Sequence, residues 1–297
     1  MNPSRSYSQP LIWALLLASV VRAQADHTPP QLISIKITPS RADVSTQAVT
    51  FTVELAIKDD ISGMSPNGRD TSYAALVIVS PSGGQQRIVF NKQLKLVSGT
   101  PLEGIWSAKF TMPQASEPGV WQVQKARLED GANNTIHFDL HATNALDHAT
   151  FEVASQPADV SAPQLVDVSF YPPSIDPGGS LHQVMVRVHA TDDLSGVSFA
   201  PDGPTGPSSL FGVVVSSPSG DERSAAGPYA KWVLISGTPQ DGVWQAPLDF
   251  QRLGKPGAWA VKQVCLKDEV RNIRCYESEL KAMGVPDLIV VGSGPKR

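Results

Sequence analysis

The chain has 297 residues and a net charge of −4, with 24 lysine and arginine residues against 28 acidic residues. Its basic residues are scattered, and phosphate binding needs clustered ones, so a nucleic-acid-binding protein is excluded. Hydrophobic residues make up 41% of the chain, which excludes intrinsic disorder because that much apolar surface can form packed cores. The length suits about two domains of ordinary size.

Residues 1–25 have the pattern of a secretory signal peptide. Arg5 precedes the apolar run Leu11–Val21, and Ala23 or Ala25 completes a small-x-Ala cleavage site. The run is shorter than the roughly 20 residues that span a bilayer. We therefore expect a secreted, periplasmic or cell-surface protein with no membrane insertion after signal cleavage. A retained N-terminal anchor is the alternative.

A tandem duplication fills the mature chain. Asp59–Gly63 (Asp-Asp-Ile-Ser-Gly) recurs as Asp192–Gly196 (Asp-Asp-Leu-Ser-Gly), and Ser98–Pro101 recurs as Ser236–Pro239. Further matches follow in the same order, which is the signature of a repeated structural unit. The copies occupy residues 26–156 and 157–297.

Each copy has the pattern of strands. Val49–Leu55 and Val184–Val188 alternate apolar and polar residues, whereas Leu76–Val79 and Val213–Val215 are continuous apolar runs typical of central strands. Proline- and glycine-rich turns separate these runs. We predict six or seven strands of alternating direction in each copy, followed by a closing strand. Glu277–Met283 is the best helical candidate.

Two motifs in each copy resemble a known family of repeats. The first is Asp-Asp-x-Ser-Gly after the second predicted strand. The second is Leu-x-Asp followed by Asn, at Leu128–Asn134 and Leu266–Asn272. Together they resemble the immunoglobulin-like or fibronectin-III-like repeats of bacterial surface and secreted proteins, over essentially the whole mature chain. The resemblance implies an all-β protein of two tandem immunoglobulin-like antiparallel β-sandwiches, used for adhesion, spacing or accessory binding rather than catalysis.

Alternating strand direction collects acidic residues at one end of each copy. The start of the first predicted strand and the loops after the second, fourth and sixth all lie at that end. Calcium prefers six to eight oxygen ligands, so we predict a Ca²⁺ site there. Its candidate ligands are Asp26, Asp59, Asp60 and Asp130 in the first copy and Asp159, Asp192, Asp193 and Asp268 in the second. The alternative is that these residues only stabilise turns through their own side chains.

The second copy contains both cysteines of the chain, Cys265 and Cys275. Their positions match Arg127 and His137 in the first copy. If the two flanking strands form a hairpin, the cysteines can face each other, and an exported protein meets an oxidising environment. We predict a disulfide between them; two free thiols are the alternative.

Catalytic motifs are missing from the sequence, which has no nucleophile elbow and no His-Glu-x-x-His. We therefore predict a non-enzymatic protein that binds a protein or glycan at a cell surface. A carbohydrate-binding module that uses the aromatic residues Tyr229 and Trp232 of the second copy is the alternative. A third interpretation is a hydrolase with paired carboxylates.

Overall fold

The computed structural model describes residues 25–66, 73–139, 149–176, 183–200, 211–227, 230–250 and 255–291. Residues 1–24 of the predicted signal peptide lie outside these ranges. Within the described ranges, we find no helix with the length and apolarity needed to cross a bilayer.

The first copy folds into two packed sheets, which we call the first sandwich. Its strands are β1 (Gln31–Thr38), β2 (Arg41–Asp43), β3 (Val49–Lys58), β4 (Ala74–Val79), β5 (Gln86–Phe90), β6 (Lys95–Gly99), β7 (Glu103–Met112), β8 (Gly119–Glu129), β9 (Thr135–Asp139) and β10 (Thr150–Ala154). One sheet has the order β1-β3-β7-β6. The other has the order β2-β10-β8-β4-β5, with β9 also paired to β8.

The second copy repeats this arrangement as the second sandwich. Its strands are β11 (Gln164–Tyr171), β12 (Ser174–Ile175), β13 (Gln183–Thr191), β14 (Gly212–Ser216), β15 (Glu222–Ala226), β16 (Val233–Gly237), β17 (Asp241–Asp249), β18 (Gly257–Lys267), β19 (Ile273–Tyr276) and β20 (Leu288–Val290). The sheet orders are β11-β13-β17-β16 and β12-β20-β18-β14-β15, with β19 paired to β18.

These sheet orders are those of an immunoglobulin-like sandwich. Pairing is antiparallel throughout, except where β2 meets β10 and β12 meets β20. The predicted all-β fold of two tandem immunoglobulin-like antiparallel sandwiches is therefore confirmed.

The alternating pattern of β3 explains how the core of the first sandwich forms. Phe51, Val53, Leu55 and Ile57 are buried at every second position, as the two-residue period of a strand requires. Trp121 is fully buried at the start of β8, and its indole N–H donates to the carbonyl of Glu117 at 2.8 Å. The second sandwich buries Trp259 in the same way.

The structure differs from the predicted elements in three respects. A short strand, β2 or β12, follows the first predicted strand and pairs in parallel with β10 or β20. The fourth predicted strand consists of two strands in different sheets. Its first half, β5, pairs with β4; after a short turn at Asn91–Gln93, its second half, β6, pairs with β7 in the other sheet. Both segments run toward the acidic end, so the predicted grouping of the loops survives. Instead of the helix predicted at Glu277–Met283, a single 3-10 turn forms at Ser278–Leu280, since so short a segment gains little from helical hydrogen bonds.

The predicted disulfide forms between β18 and β19. Cys265 and Cys275 are directly opposite each other in the register of this strand pair. The matching positions in the first sandwich, Arg127 and His137, are also opposite each other, which confirms the alignment of the two copies at this point.

Replacing both cysteines by serine should destabilise the second sandwich by about 2–3 kcal/mol, because the bond closes a short loop and limits the unfolded chain. Hydrogen exchange measured strand by strand checks this. Amides of β18 and β19 should exchange faster, while those of β3 and β8 in the first sandwich serve as the internal control. Equal protection of β18 in both proteins would contradict the expectation.

Candidate metal sites at the acidic ends of the two sandwiches

Three carboxylates converge at the same end of each sandwich. The first carboxylate cluster consists of Asp26, Asp59 and Asp60, and the second consists of Asp159, Asp192 and Asp193. In each cluster one oxygen from every residue lies within 4.8 Å of the others. The clusters form because β3 and β13 end where β1 and β11 begin, as the alternating strand directions predict.

The loop after β3 is folded by the first aspartate of the Asp-Asp-x-Ser-Gly motif. Oδ1 of Asp59 accepts hydrogen bonds from the backbone N–H groups of Ile61 at 3.2 Å and Gly63 at 2.6 Å. In the second copy, Asp192 accepts from the backbone in the same way at 3.2 and 2.6 Å. These bonds are the turn-stabilising role that was the alternative to metal binding, and they occupy one oxygen of each aspartate.

The glycine of the motif is required by both conformation and space. Gly63 has φ of +77°, and a Cβ at this position would lie 2.7 Å from the Cβ of Pro101. The same holds for Gly196 against Pro239. The motif therefore sets the path of the loop that carries the clustered aspartates.

The remaining predicted ligands, Asp130 and Asp268, are not members of the clusters. Each accepts a hydrogen bond from the asparagine four residues later. The side-chain amide of Asn272 donates to Asp268 Oδ2 at 2.7 Å and to Asp159 Oδ1 at 3.1 Å. Asn134 donates to Asp130 at 2.8 Å and to Asp26 at 3.3 Å. Each asparagine thus links Asp130 or Asp268 to the first member of the cluster.

Among the residues that the structure describes, one buried oxygen in each cluster finds no hydrogen-bond partner. Asp59 is 6% exposed, and its Oδ2 accepts no bond. Oδ2 of Asp192 is likewise buried without a partner. A buried carboxylate oxygen with no donor is costly. The orphaned oxygens lie among other carboxylates, which is the arrangement that a bound cation would satisfy.

The two clusters differ in which aspartate is buried. In the first cluster Asp59 is buried and Asp26 half-buried, whereas in the second Asp159 is 1% exposed and Asp192 is half-buried. Asp130 and Asp268 are both fully buried. The second cluster lies at the junction of the two sandwiches, where the backbone N–H of Asp159 donates to the carbonyl of Ala115 at 2.8 Å. The junction also contains Gln85, which donates to the carbonyl of Asp159 at 2.6 Å. Sequence analysis missed this asymmetry.

Burial changes the acidity of carboxyl groups in and next to the second cluster. It raises the pKa of Asp268 to about 7, with further contributions from the charges of Asp159 and Asp192. Burial also raises the pKa of Asp192, beside Asp159 and Asp193. In the first cluster, hydrogen bonds from Ser62 lower the pKa of Asp26. Burial therefore favours the protonated form of Asp268 and Asp192.

Trp232, one of the two aromatic residues predicted to bind sugar, packs inward. Its ring stacks on Phe199 with centroids 4.4 Å apart, and its indole N–H donates to the carbonyl of Ala225 at 3.1 Å. Tyr229 lies outside the described residues. One face of the Trp232 ring is thus used for packing, and a sugar-binding role for these two residues stays a prediction.

A groove of about 340 Å³ lies between the sandwiches and was not foreseen from the sequence. It is bordered by Arg87 and Lys109 of the first sandwich and by Lys267 and Arg271 of the second. These basic residues come from distant parts of the chain, so no local sequence signal groups them.

The comparisons with known proteins give little beyond a general likeness. No family model and no characterised protein matches the sequence. A marsupial T cell receptor is similar at 9% identity, with a TM-score of 0.25 and coverage of 82% of this chain and 98% of that one. Bovine butyrophilin is similar at 10% identity, with a TM-score of 0.20 and coverage of 82% and 97%. Such loose superpositions carry no argument, so the fold assignment rests on the sheet orders.

Gly63→Ala should destabilise the first sandwich more than Gly83→Ala, although both glycines have φ of +77°. At Gly83 a Cβ meets nothing within 4 Å, so its cost should be the conformational one of about 1–2 kcal/mol. At Gly63 the clash with Pro101 should add roughly 1–3 kcal/mol. Urea unfolding of the two variants measures the difference, and equal midpoints would contradict it.

In metal-free protein, stability should fall as the pH rises from about 4 to about 7. The pKa of Asp268 is raised from 3.8 to about 7 in the folded state, so between these values the folded protein binds more protons than the unfolded chain. Asp268→Asn should flatten this part of the profile. Urea unfolding in a chelator across this pH range checks it; an unchanged profile in the variant would argue against the assignment.

Proposed function

We propose that this protein is an exported, non-catalytic module of two immunoglobulin-like sandwiches that serves in adhesion, spacing or accessory binding, with Ca²⁺ held at each carboxylate cluster. The observation that carries the calcium part is the pair of buried, unpartnered oxygens on Asp59 and Asp192. A cation beside each would replace the missing hydrogen-bond donor and offset the repulsion among three neighbouring carboxylates.

The donor set favours a hard cation. Both clusters consist of aspartates alone, and carboxylate, carbonyl and water oxygens suit Ca²⁺ or Mg²⁺ rather than metals that prefer imidazole or thiolate. Calcium tolerates irregular sets of six to eight oxygens, whereas Mg²⁺ demands a near-ideal octahedron and gives up its waters reluctantly. A trio of aspartates on loops, completed by water or backbone oxygens, fits calcium better.

The surroundings of the carboxylates support a structural rather than a catalytic role. Asp159 and Asp268 are buried and are both engaged by Asn272, so these two carboxylates are not presented to a substrate. The same constellation occurs at the end of the first sandwich. A site repeated in two small sandwiches, and built around turn-forming hydrogen bonds, stabilises the fold at both places.

A protein partner is supported by apolar side chains on the outer surface of the four-stranded sheets. Ile33 and Val97 of the first sandwich are 55% and 57% exposed. Ile105 is also exposed, and with Ile33 it borders a shallow pocket of about 280 Å³. In the second sandwich Val166 and Ile235 are exposed in the corresponding strands. Repeated exposed apolar residues of this kind are typical of contact surfaces with other proteins.

Calcium should bind at two sites and raise stability. At a Ca²⁺ concentration 100 times the Kd, each site should add about 2.7 kcal/mol to the free energy of unfolding. Titration calorimetry and thermal melts, with and without chelator, measure both effects. Asp59→Asn and Asp192→Asn should each remove one site because each deletes charge from the orphaned oxygen.

The matched control is Asp167→Asn, since Asp167 is an exposed aspartate within β11 that belongs to neither cluster. It should leave two sites. Magnesium at the same concentration should bind more weakly. A melting midpoint that does not change when calcium is added to the wild type would refute the metal proposal.

A further inference from the structure

A chain of hydrogen bonds leads from the first sandwich into the second carboxylate cluster. Nε2 of Gln85, in the turn before β5, donates to Asn272 Oδ1 at 3.0 Å and to the carbonyl of Asp159 at 2.6 Å. Asn272 Nδ2 in turn donates to Asp159 Oδ1 and Asp268 Oδ2. The amide of Gln85 therefore orients the amide that holds two carboxylates in place.

This chain is completely buried at its centre. Gln85 is 0% exposed, Asn272 is 6% exposed and Asp159 is 1% exposed. Hydrogen bonds in such a low-dielectric setting are stronger than in water and polarise one another along the chain. If the sandwiches separate, Asn272 loses the hydrogen bond from Gln85 and keeps the bonds to Asp159 and Asp268 that Asn134 also makes in the first copy.

Two further bonds hold the same junction. Arg87 donates to the carbonyl of Val270 at 3.1 Å, within the loop that joins Asp268 to Asn272. The backbone N–H of Asp159 donates to the carbonyl of Ala115 at 2.8 Å. The loop and the aspartate that build the second cluster are therefore also the parts of the second copy that contact the first sandwich.

The matching position in the second copy shows that this arrangement is particular to the junction. Asp221 stands where the first copy has Gln85. It follows β14 at the end of the second sandwich opposite to the carboxylate cluster, and it pairs with Lys255 at 2.8 Å. The first cluster has the same asparagine bonds, through Asn134, but both Asn134 and Asp26 are half-exposed.

We propose that calcium binding at the second cluster and docking of the two sandwiches are energetically coupled, with Gln85 as the positioning residue that transmits the coupling. This inference rests on the proposed calcium site. Calcium would neutralise carboxylates that docking buries, and docking would fix the Asn272 amide that presents those carboxylates to calcium. By linkage, each process favours the other to the same extent. The first cluster is not coupled in this way.

The affinity of each site for calcium can be measured separately by titration calorimetry. An Asp59→Asn background leaves the second site, and an Asp192→Asn background leaves the first. In the Asp59→Asn background, Gln85→Ala should weaken calcium binding about tenfold, a coupling of ordinary size. In the Asp192→Asn background it should have no effect. Asp221→Asn is the matched control and should leave the second site unchanged.

Docking is followed independently by residual dipolar couplings, which report whether the two sandwiches align as one body. Calcium should bring the alignment tensors of the wild-type sandwiches together, and Gln85→Ala should reduce that effect. Arg87→Ala removes the bond to Val270 without removing a bond of Asn272, and it should also reduce the effect of calcium on the alignment. This variant serves as the test if Gln85→Ala does not fold.

The outcomes separate the two proposals. If the wild type binds no calcium, the proposed metal sites fail, and this inference fails with them. If the wild type binds two calcium ions but neither Gln85→Ala nor Arg87→Ala changes the second affinity or the alignment, calcium binding stands and the coupling is refuted. Equal weakening of both sites by Gln85→Ala would also refute it, because the effect would then not pass through the junction.

Discussion

The side-chain amide of Asn272 links the second carboxylate cluster to the first sandwich. It donates to the carboxylates of Asp159 and Asp268 and accepts from Gln85. Burying neighbouring carboxylates is costly unless donors satisfy them, and this one amide satisfies parts of two. Asn134 does the same for Asp26 and Asp130 in the first copy. The four-residue spacing from aspartate to asparagine in each copy therefore places an amide donor next to the buried carboxylate.

The same motif works in two different environments. In the first copy, water reaches Asp26, and hydrogen bonds from Ser62 lower its pKa. In the second copy, Asp159 is buried and bonded to the first sandwich, and burial raises the pKa of Asp268 to about 7. The duplicated sequence has therefore produced two sites in which hydrogen bonds lower the pKa of one carboxyl group, Asp26, and burial raises the pKa of another, Asp268.

This difference bears on how a two-sandwich module would keep its shape. Polar interfaces between domains of one chain ordinarily permit relative motion, and the contacts described here, through Gln85, Arg87 and Ala115, are polar. A module that spaces or presents binding surfaces depends on the angle between its parts. A cation placed at the junction would act on that angle, whereas a cation at the far end of the first sandwich would stabilise only its own loops.

The sequence by itself determined the repeated unit, its strands and the end of each sandwich at which the aspartates gather. The two-residue period of β3 shows which side chains are buried, and the reversals between β1, β3 and β7 place the aspartate-bearing loops at one end. It also placed Cys265 opposite Cys275, because facing positions in a hairpin follow from the turn between them. The sequence did not predict the switch between sheets at Asn91–Gln93, since both halves of that segment run in the same direction.

Only the tertiary structure decided which aspartate of each cluster is buried, which aspartate oxygens lack a partner among the described residues, and that Gln85 donates to Asn272. It also showed that Trp232 packs against Phe199. Periodicity and turn residues describe how a chain relates to its near neighbours, whereas these contacts join positions far apart in sequence. They depend on how one sandwich rests on the other, for which the sequence has no periodic signature.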